Sequence, residues 1–185
     1  MNKPITLLLL LLVLSFNCAN DNHQTNTINE IDKIEVYKAN DGFTINDTLY
    51  KLHFQIEAKE ENKHNLVVSI ELYNNSYYIS PTEKNEFKGK FTIDLGSYDK
   101  LTFNENIIET PLSVGKLSPN TYVDGSVNWV KENTTYKQQL KVLSQDDFEV
   151  FGRVIFTIEP RCTLEEIPFS ISYHSGKMTI KYPKC

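Results

Sequence analysis

Residues 169–182 read FSISYHSGKMTIKY. Folded about Ser175-Gly176, this stretch sets Tyr173 against Met178, Ile171 against Ile180 and Phe169 against Tyr182. The three pairs are apolar and share one face, because successive side chains of a strand point to opposite sides. Ser172 with Thr179 and Ser170 with Lys181 share the other face. A slip of one residue would send every apolar side chain to the wrong side, so the pattern predicts a single register. Gly176 takes positive φ at no steric cost, as a two-residue loop requires, whereas Ser175 is a less favoured turn residue than Asn or Asp.

The period of two extends outward from this hairpin. Tyr50, Leu52, Phe54, Ile56 and Ala58 form one row, and Leu66, Val68, Ile70 and Leu72 another. Phe87, Gly89, Phe91, Ile93 and Leu95 predict a strand, as do Val127 with Trp129 and Leu140 with Val142. Phe148, Val150, Gly152, Val154, Phe156 and Ile158 complete the set, and Trp129 is expected in the core beside Val127. An amphipathic helix would place apolar residues at steps of three and four, and these stretches do not. The count predicts eight to ten strands in one antiparallel system. The expected fold is all-β, an antiparallel β-sandwich of immunoglobulin/fibronectin III-like type, with an antiparallel β-barrel as the alternative. Leu117, Pro119, Thr121 and Tyr122 in LSPNTYVDG favour the sandwich, because they resemble the tyrosine corner of fibronectin type III domains.

The front of the chain has another character. Lys3 precedes an apolar run, Ile5 to Leu14, broken only by Thr6. About ten apolar residues suit the core of a signal peptide, while crossing a bilayer takes roughly 20. Residues 1–18, ending LSFNC, resemble the lipobox of bacterial lipoproteins. The resemblance implies cleavage before Cys18 and acylation of that cysteine, two or three chains making a stable anchor. Residues 1–17 are then a signal peptide, 18–30 the lipidated Cys and a flexible tether, and 31–185 a single β-domain. The expected location is exported and membrane lipid-anchored, in the bacterial outer membrane. With Cys18 acylated, Cys162 and Cys185 remain, and an oxidising compartment predicts a disulfide between them. It would close a loop of about 24 residues, worth roughly 3 kcal/mol in the chain-entropy model.

Charge narrows the partners. The chain has 19 basic and 24 acidic side chains, a formal net charge of −5, and removing residues 1–17 takes away Lys3 alone, giving −6. Without a basic block, nucleic acid is not an expected partner. Only Arg153 and Arg161 are arginines, so bidentate recognition of phosphates is poorly supplied.

Few residues promise chemistry. His23, His53, His64 and His174 read as surface residues, His64 within a charged turn, and no zinc-type spacing occurs. No nucleophile elbow or phosphate-cradling glycine loop is found. Asp146-Asp147 and Glu165-Glu166 are adjacent, so on strands the members of each pair point apart. No catalytic residue, metal or cofactor is expected. Tyr73, Tyr77 and Tyr78 in LYNNSYYIS are the candidate contacts for a protein or glycan partner, and one of Tyr77 and Tyr78 must face outward. Asp47-Thr48-Leu49 resembles the O-glycan acceptor of exported Bacteroidota proteins, which implies Thr48 as the acceptor. The function expected is a non-enzymatic binding domain. The alternatives are an envelope hydrolase acting on glycan and a barrel carrying a small apolar ligand.

Overall fold

The computed structural model describes residues 35–39, 42–59, 63–117 and 126–183. Eight of its strands have five or more residues: β1 (Glu35–Ala39), β2 (Gly42–Asn46), β3 (Tyr50–Ala58), β4 (Lys63–Leu72), β12 (Thr134–Val142), β13 (Phe148–Ile158), β14 (Thr163–His174) and β15 (Lys177–Lys181). Seven short ones lie between β4 and β12: β5 (Tyr78–Ile79), β6 (Thr92–Asp94), β7 (Leu101–Phe103), β8 (Ile108–Thr110), β9 (Lys116–Leu117), β10 (Ser126–Val127) and β11 (Trp129–Val130).

The larger sheet has the order β1-β2-β3-β4-β12, after which β7 and β8 pair with successive parts of β12. The second has the order β15-β14-β13-β6. Every pairing is antiparallel. The two sheets face each other across one core and form a β-sandwich. They do not close on themselves, and their interior is filled by rings, so neither the barrel nor the hollow carrier describes this chain. Phe54 of one sheet lies 5.9 Å from Phe169 of the other, and Tyr50 meets Phe156 edge-on at 5.2 Å. Phe91 stacks on Tyr136 at 4.0 Å. Burying one such ring removes about 200 Å² from water, worth about 5 kcal/mol before entropy is counted.

The alternation read from the sequence places these rings. Tyr50, Leu52 and Phe54 on β3 and Leu66, Val68 and Ile70 on β4 are all buried. The C-terminal hairpin has the expected register: Tyr173 opposite Met178, Ile171 opposite Ile180, Ser170 opposite Lys181. Its loop residues Ser175 and Gly176 both have positive φ, 50° and 80°. Tyr182 lies beyond the ladder and packs edge-on against Phe43 at 5.9 Å.

Two expectations are corrected. Phe87 to Leu95 is strand only at β6, because Gly89 turns at φ +78° and sits tight on Thr157. A Cβ there would come within 1.9 Å of the Thr157 Oγ1. His64 is buried rather than exposed, because β4 begins at Lys63 and sets it between Ala58 and Leu140. Burial pushes its imidazole pKa down.

One end of the sandwich is closed by charge. Arg161, in the β13–β14 turn, donates to the Asp47 Oδ2 at 3.1 and 3.2 Å and to the Glu165 Oε1 at 2.8 Å. The Tyr50 hydroxyl donates to the other Glu165 oxygen at 2.9 Å. The Asp47 side chain is 3% exposed and Arg161 26%. The adjacent acidic residues point apart as alternation requires: Glu165 faces this network, and Glu166 meets Arg153 outside at 3.1 Å.

Candidate functional site

Tyr77 and Tyr78 start from the β4–β5 connection, where Asn74 and Asn75 both adopt positive φ. Register then sorts them. Tyr78 opposes Val130 and points inward, fully buried, its hydroxyl 2.9 Å from that of Tyr136. Tyr78 is therefore a core residue and not a partner contact. Tyr77 faces outward, as do Ile79 and Trp129. The Tyr77 and Trp129 rings meet edge-on at 5.1 Å, and the Lys131 Nζ stands 5.1 Å above the Tyr77 ring. Trp129 is half-buried and not in the core with Val127, because the chain changes partner strand between them, from β9 to β5. Tyr73 is 39% exposed and spends its hydroxyl on Glu71 at 3.1 Å.

Beside Trp129 lies a cleft of about 280 Å³, walled by Pro111 to Val114 on one side and Trp129 to Glu132 and Thr134 on the other. Leu112 is 64% and Val114 71% exposed on its rim. Two buried carboxylates hold the surrounding chain. Glu109 accepts from the Ser80 hydroxyl and from the Ser113 N–H at 3.1 Å, fixing the 111–114 wall. Glu83 accepts from the Asn128 N–H at 2.8 Å and the Asn85 N–H at 3.0 Å, fixing the approach to Trp129. Burial works to raise the Glu83 pKa, but the backbone donors outweigh it and hold that pKa below the ordinary carboxylate value. The result is a braced, largely apolar surface carrying one cation, Lys131, and one carboxylate, Glu132. Its aliphatic rim was not singled out in the sequence, where Leu112-Ser113-Val114 between Pro111 and Gly115 is too short a run to mark a strand.

The other candidates are dispersed. Thr48 is exposed at the β2–β3 turn, where the Leu49 N–H donates to Asp47 at 2.8 Å. Cys162 is exposed in the β13–β14 turn at φ +53°. Its thiol donates to Glu159 at 2.9 Å, and that hydrogen bond and the carboxylate charge push the thiol pKa up. Cys18, Cys185 and the corner residues Pro119, Thr121 and Tyr122 lie outside the described residues. His53 pairs with the Thr44 hydroxyl at 2.9 Å, and His174 pairs with Asp147 on the surface. Among the described residues no three His, Cys, Asp or Glu side chains converge as metal ligands.

No family model matches this chain, and no curated protein matches it. Among solved structures it is similar to the GAE domain of GGA2p from Saccharomyces cerevisiae, at 9% identity and a TM-score of 0.39, covering 76% of this chain and 97% of that one. It is also similar to the GAE domain of yeast GGA1, at 7% identity and a TM-score of 0.34, covering 76% and 98%.

Proposed function

We propose that this chain is an exported, lipid-anchored, non-enzymatic β-sandwich that presents a protein-binding face around Trp129. The observation that carries the reading is the exposure of Leu112 and Val114 beside the Tyr77–Trp129–Lys131 group. Large apolar side chains clustered on a surface mark interaction sites, and aromatic residues are enriched at protein interfaces. Two neighbouring aliphatic chains favour protein over glycan, because a sugar offers them little apolar surface. The anchor rests on the lipobox resemblance at residues 1–18, with Cys18 carrying the acyl chains and Cys162 and Cys185 joined in the exported form.

Two measurements test this. The intact mass of the membrane-extracted protein is expected to show loss of residues 1–17, addition of two or three acyl chains, and a further loss of two hydrogens. A photo-crosslinking side chain at Leu112 is expected to capture a protein in the native envelope, while the same group at exposed Lys177 captures none. Equal capture from both positions refutes the binding face, and a full-length unacylated chain refutes the anchor.

A further inference from the structure

The cleft beside Trp129 is a gap in a strand ladder. Thr110 pairs with Thr135 at one end and Lys116 with Val127 at the other. Between these pairs five residues, 111–115, stand against seven, 128–134. A regular antiparallel ladder matches residues one to one. The surplus is taken up where 128–134 swings away to pair with β5, and the two segments part to form the walls of the cleft.

The hydrogen-bonding direction of the β11 wall follows from its neighbours. In an antiparallel pair, residues alternate between turning both backbone groups toward the partner strand and turning both away. The Ser80 N–H donates to the Asn128 carbonyl at 2.9 Å, so that pair is bonded across the ribbon. Ile79, opposite Trp129, instead gives its carbonyl to the Phe91 N–H at 2.8 Å. Tyr77, next in register opposite Lys131, exchanges both groups with Glu159 at 3.1 and 2.9 Å. Ile79 and Tyr77 thus face away from β11, and Trp129 and Lys131 face away from β5. The N–H and C=O groups of Trp129 and Lys131 open on the cleft, with no backbone partner among the described residues.

We propose that the cleft receives an extended peptide of a partner protein as a strand added to β11, hydrogen-bonded to the backbone of Trp129 and Lys131. The proposal rests on the protein-binding reading above and specifies how the partner is held. Unpaired strand edges are templates for such addition, in which main-chain bonds supply affinity and alternate side chains supply specificity. Charge sets the sequence preference. The Lys131 ammonium has no carboxylate bridge among the described residues and lies on the same face as Trp129, two positions away. Residues of the added strand opposite these two share that face. The peptide therefore carries an acidic residue two places from a large apolar one, the latter packing on Trp129 in the cleft that Leu112 and Val114 also line.

The test pans a random heptapeptide library, displayed on phage, against the full chain and against its Leu112→Asp/Val114→Asp variant. Enriched sequences are expected to hold Asp or Glu two places from a large apolar residue. Lys131→Glu is expected to switch the preference to Lys or Arg. The synthetic form of the most enriched peptide should shift the backbone amides of Trp129 and Lys131 in a nitrogen–proton correlation spectrum. N-methylation of its alternate, β11-facing amides should weaken binding at least about tenfold, the loss expected on removing main-chain bonds. Undiminished binding by the N-methylated peptide overturns strand addition and leaves the binding face intact. Equal enrichment on the double variant, or no enrichment on either protein, overturns both. Displacement of the peptide by free oligosaccharides identifies the cleft as a glycan site and likewise overturns the proposal.

Discussion

Replacing Arg161 with Met tests the charged closure at one end of the sandwich. The variant leaves Asp47, whose side chain is 3% exposed, and Glu165, 10% exposed, facing each other without their shared cation. Removing one partner of a buried ion pair costs about 3–5 kcal/mol. Arg161 is itself a quarter exposed, and water screens part of its field, so the lower end, about 3 kcal/mol, applies. Urea unfolding, followed through the fluorescence of Trp129, reads the loss. With a slope of about 2 kcal/mol per molar urea, the midpoint should fall by about 1.5 M at unchanged slope. Arg161→Lys should recover only part of it, because an ammonium lacks the planar fork that reaches both carboxylates. Neutralising the whole group, with Asp47→Asn and Glu165→Gln added to Arg161→Met, should recover most of it, since no charge is then left buried. A cost below about 1 kcal/mol for Arg161→Met, or a neutral triple variant no more stable than the single one, would refute the reasoning.

Three further outcomes follow from the packing. Burial pushes the Tyr50, Tyr78 and Tyr136 phenols far above their ordinary pKa, aided at Tyr50 by the Glu165 charge and at Tyr136 by Tyr78. Their folded pKa values exceed the unfolded ones, so the stability they contribute is complete below about pH 10 and lost above it, at about 4 kcal/mol per pH unit for three protons. Tyrosinate absorbance in an alkaline titration should therefore report the exposed tyrosines first and these three only on unfolding. Glu109→Ala removes the acceptor of the Ser113 N–H and the Ser80 hydroxyl. It should cost about 1–3 kcal/mol and speed hydrogen exchange at the Ser113 amide, with the Met178 amide unaffected. Ser175→Asn places the residue that tolerates positive φ beside Gly176 in the hairpin loop. It should stabilise the hairpin, read as a small rise in Tm.

The fold was legible where one face of a strand is buried. β3 and the C-terminal hairpin carry a clean alternation, and β4 and β13 keep one continuous apolar row, so each strand has one register that hides that row. The sandwich, and the opposed directions of Tyr77 and Tyr78, follow from that rule. It fails where the chain changes partners. Val127 and Trp129 have the same parity, yet one is buried beside β9 and the other half-exposed beside β5. The cleft comes from five residues facing seven, and no local pattern encodes that mismatch. The Asp47–Arg161 bridge spans 114 positions, so composition shows only that an arginine is present. His64 was misplaced because its charged neighbours suggested a turn, while the strand had already begun at Lys63.

β1 has a mechanical consequence. Among the described residues it is the outermost strand of its sheet and pairs with β2 alone, and the side chains Glu35 to Lys38 are exposed. A pull applied at Glu35 across the sheet loads the bonds of this strand to β2 one after another, starting at Glu35–Asn46. Detaching its five residues lengthens the chain by up to about 17 Å without uncovering the rings between the sheets. Such a pull would peel β1 away before it reached the packed rings.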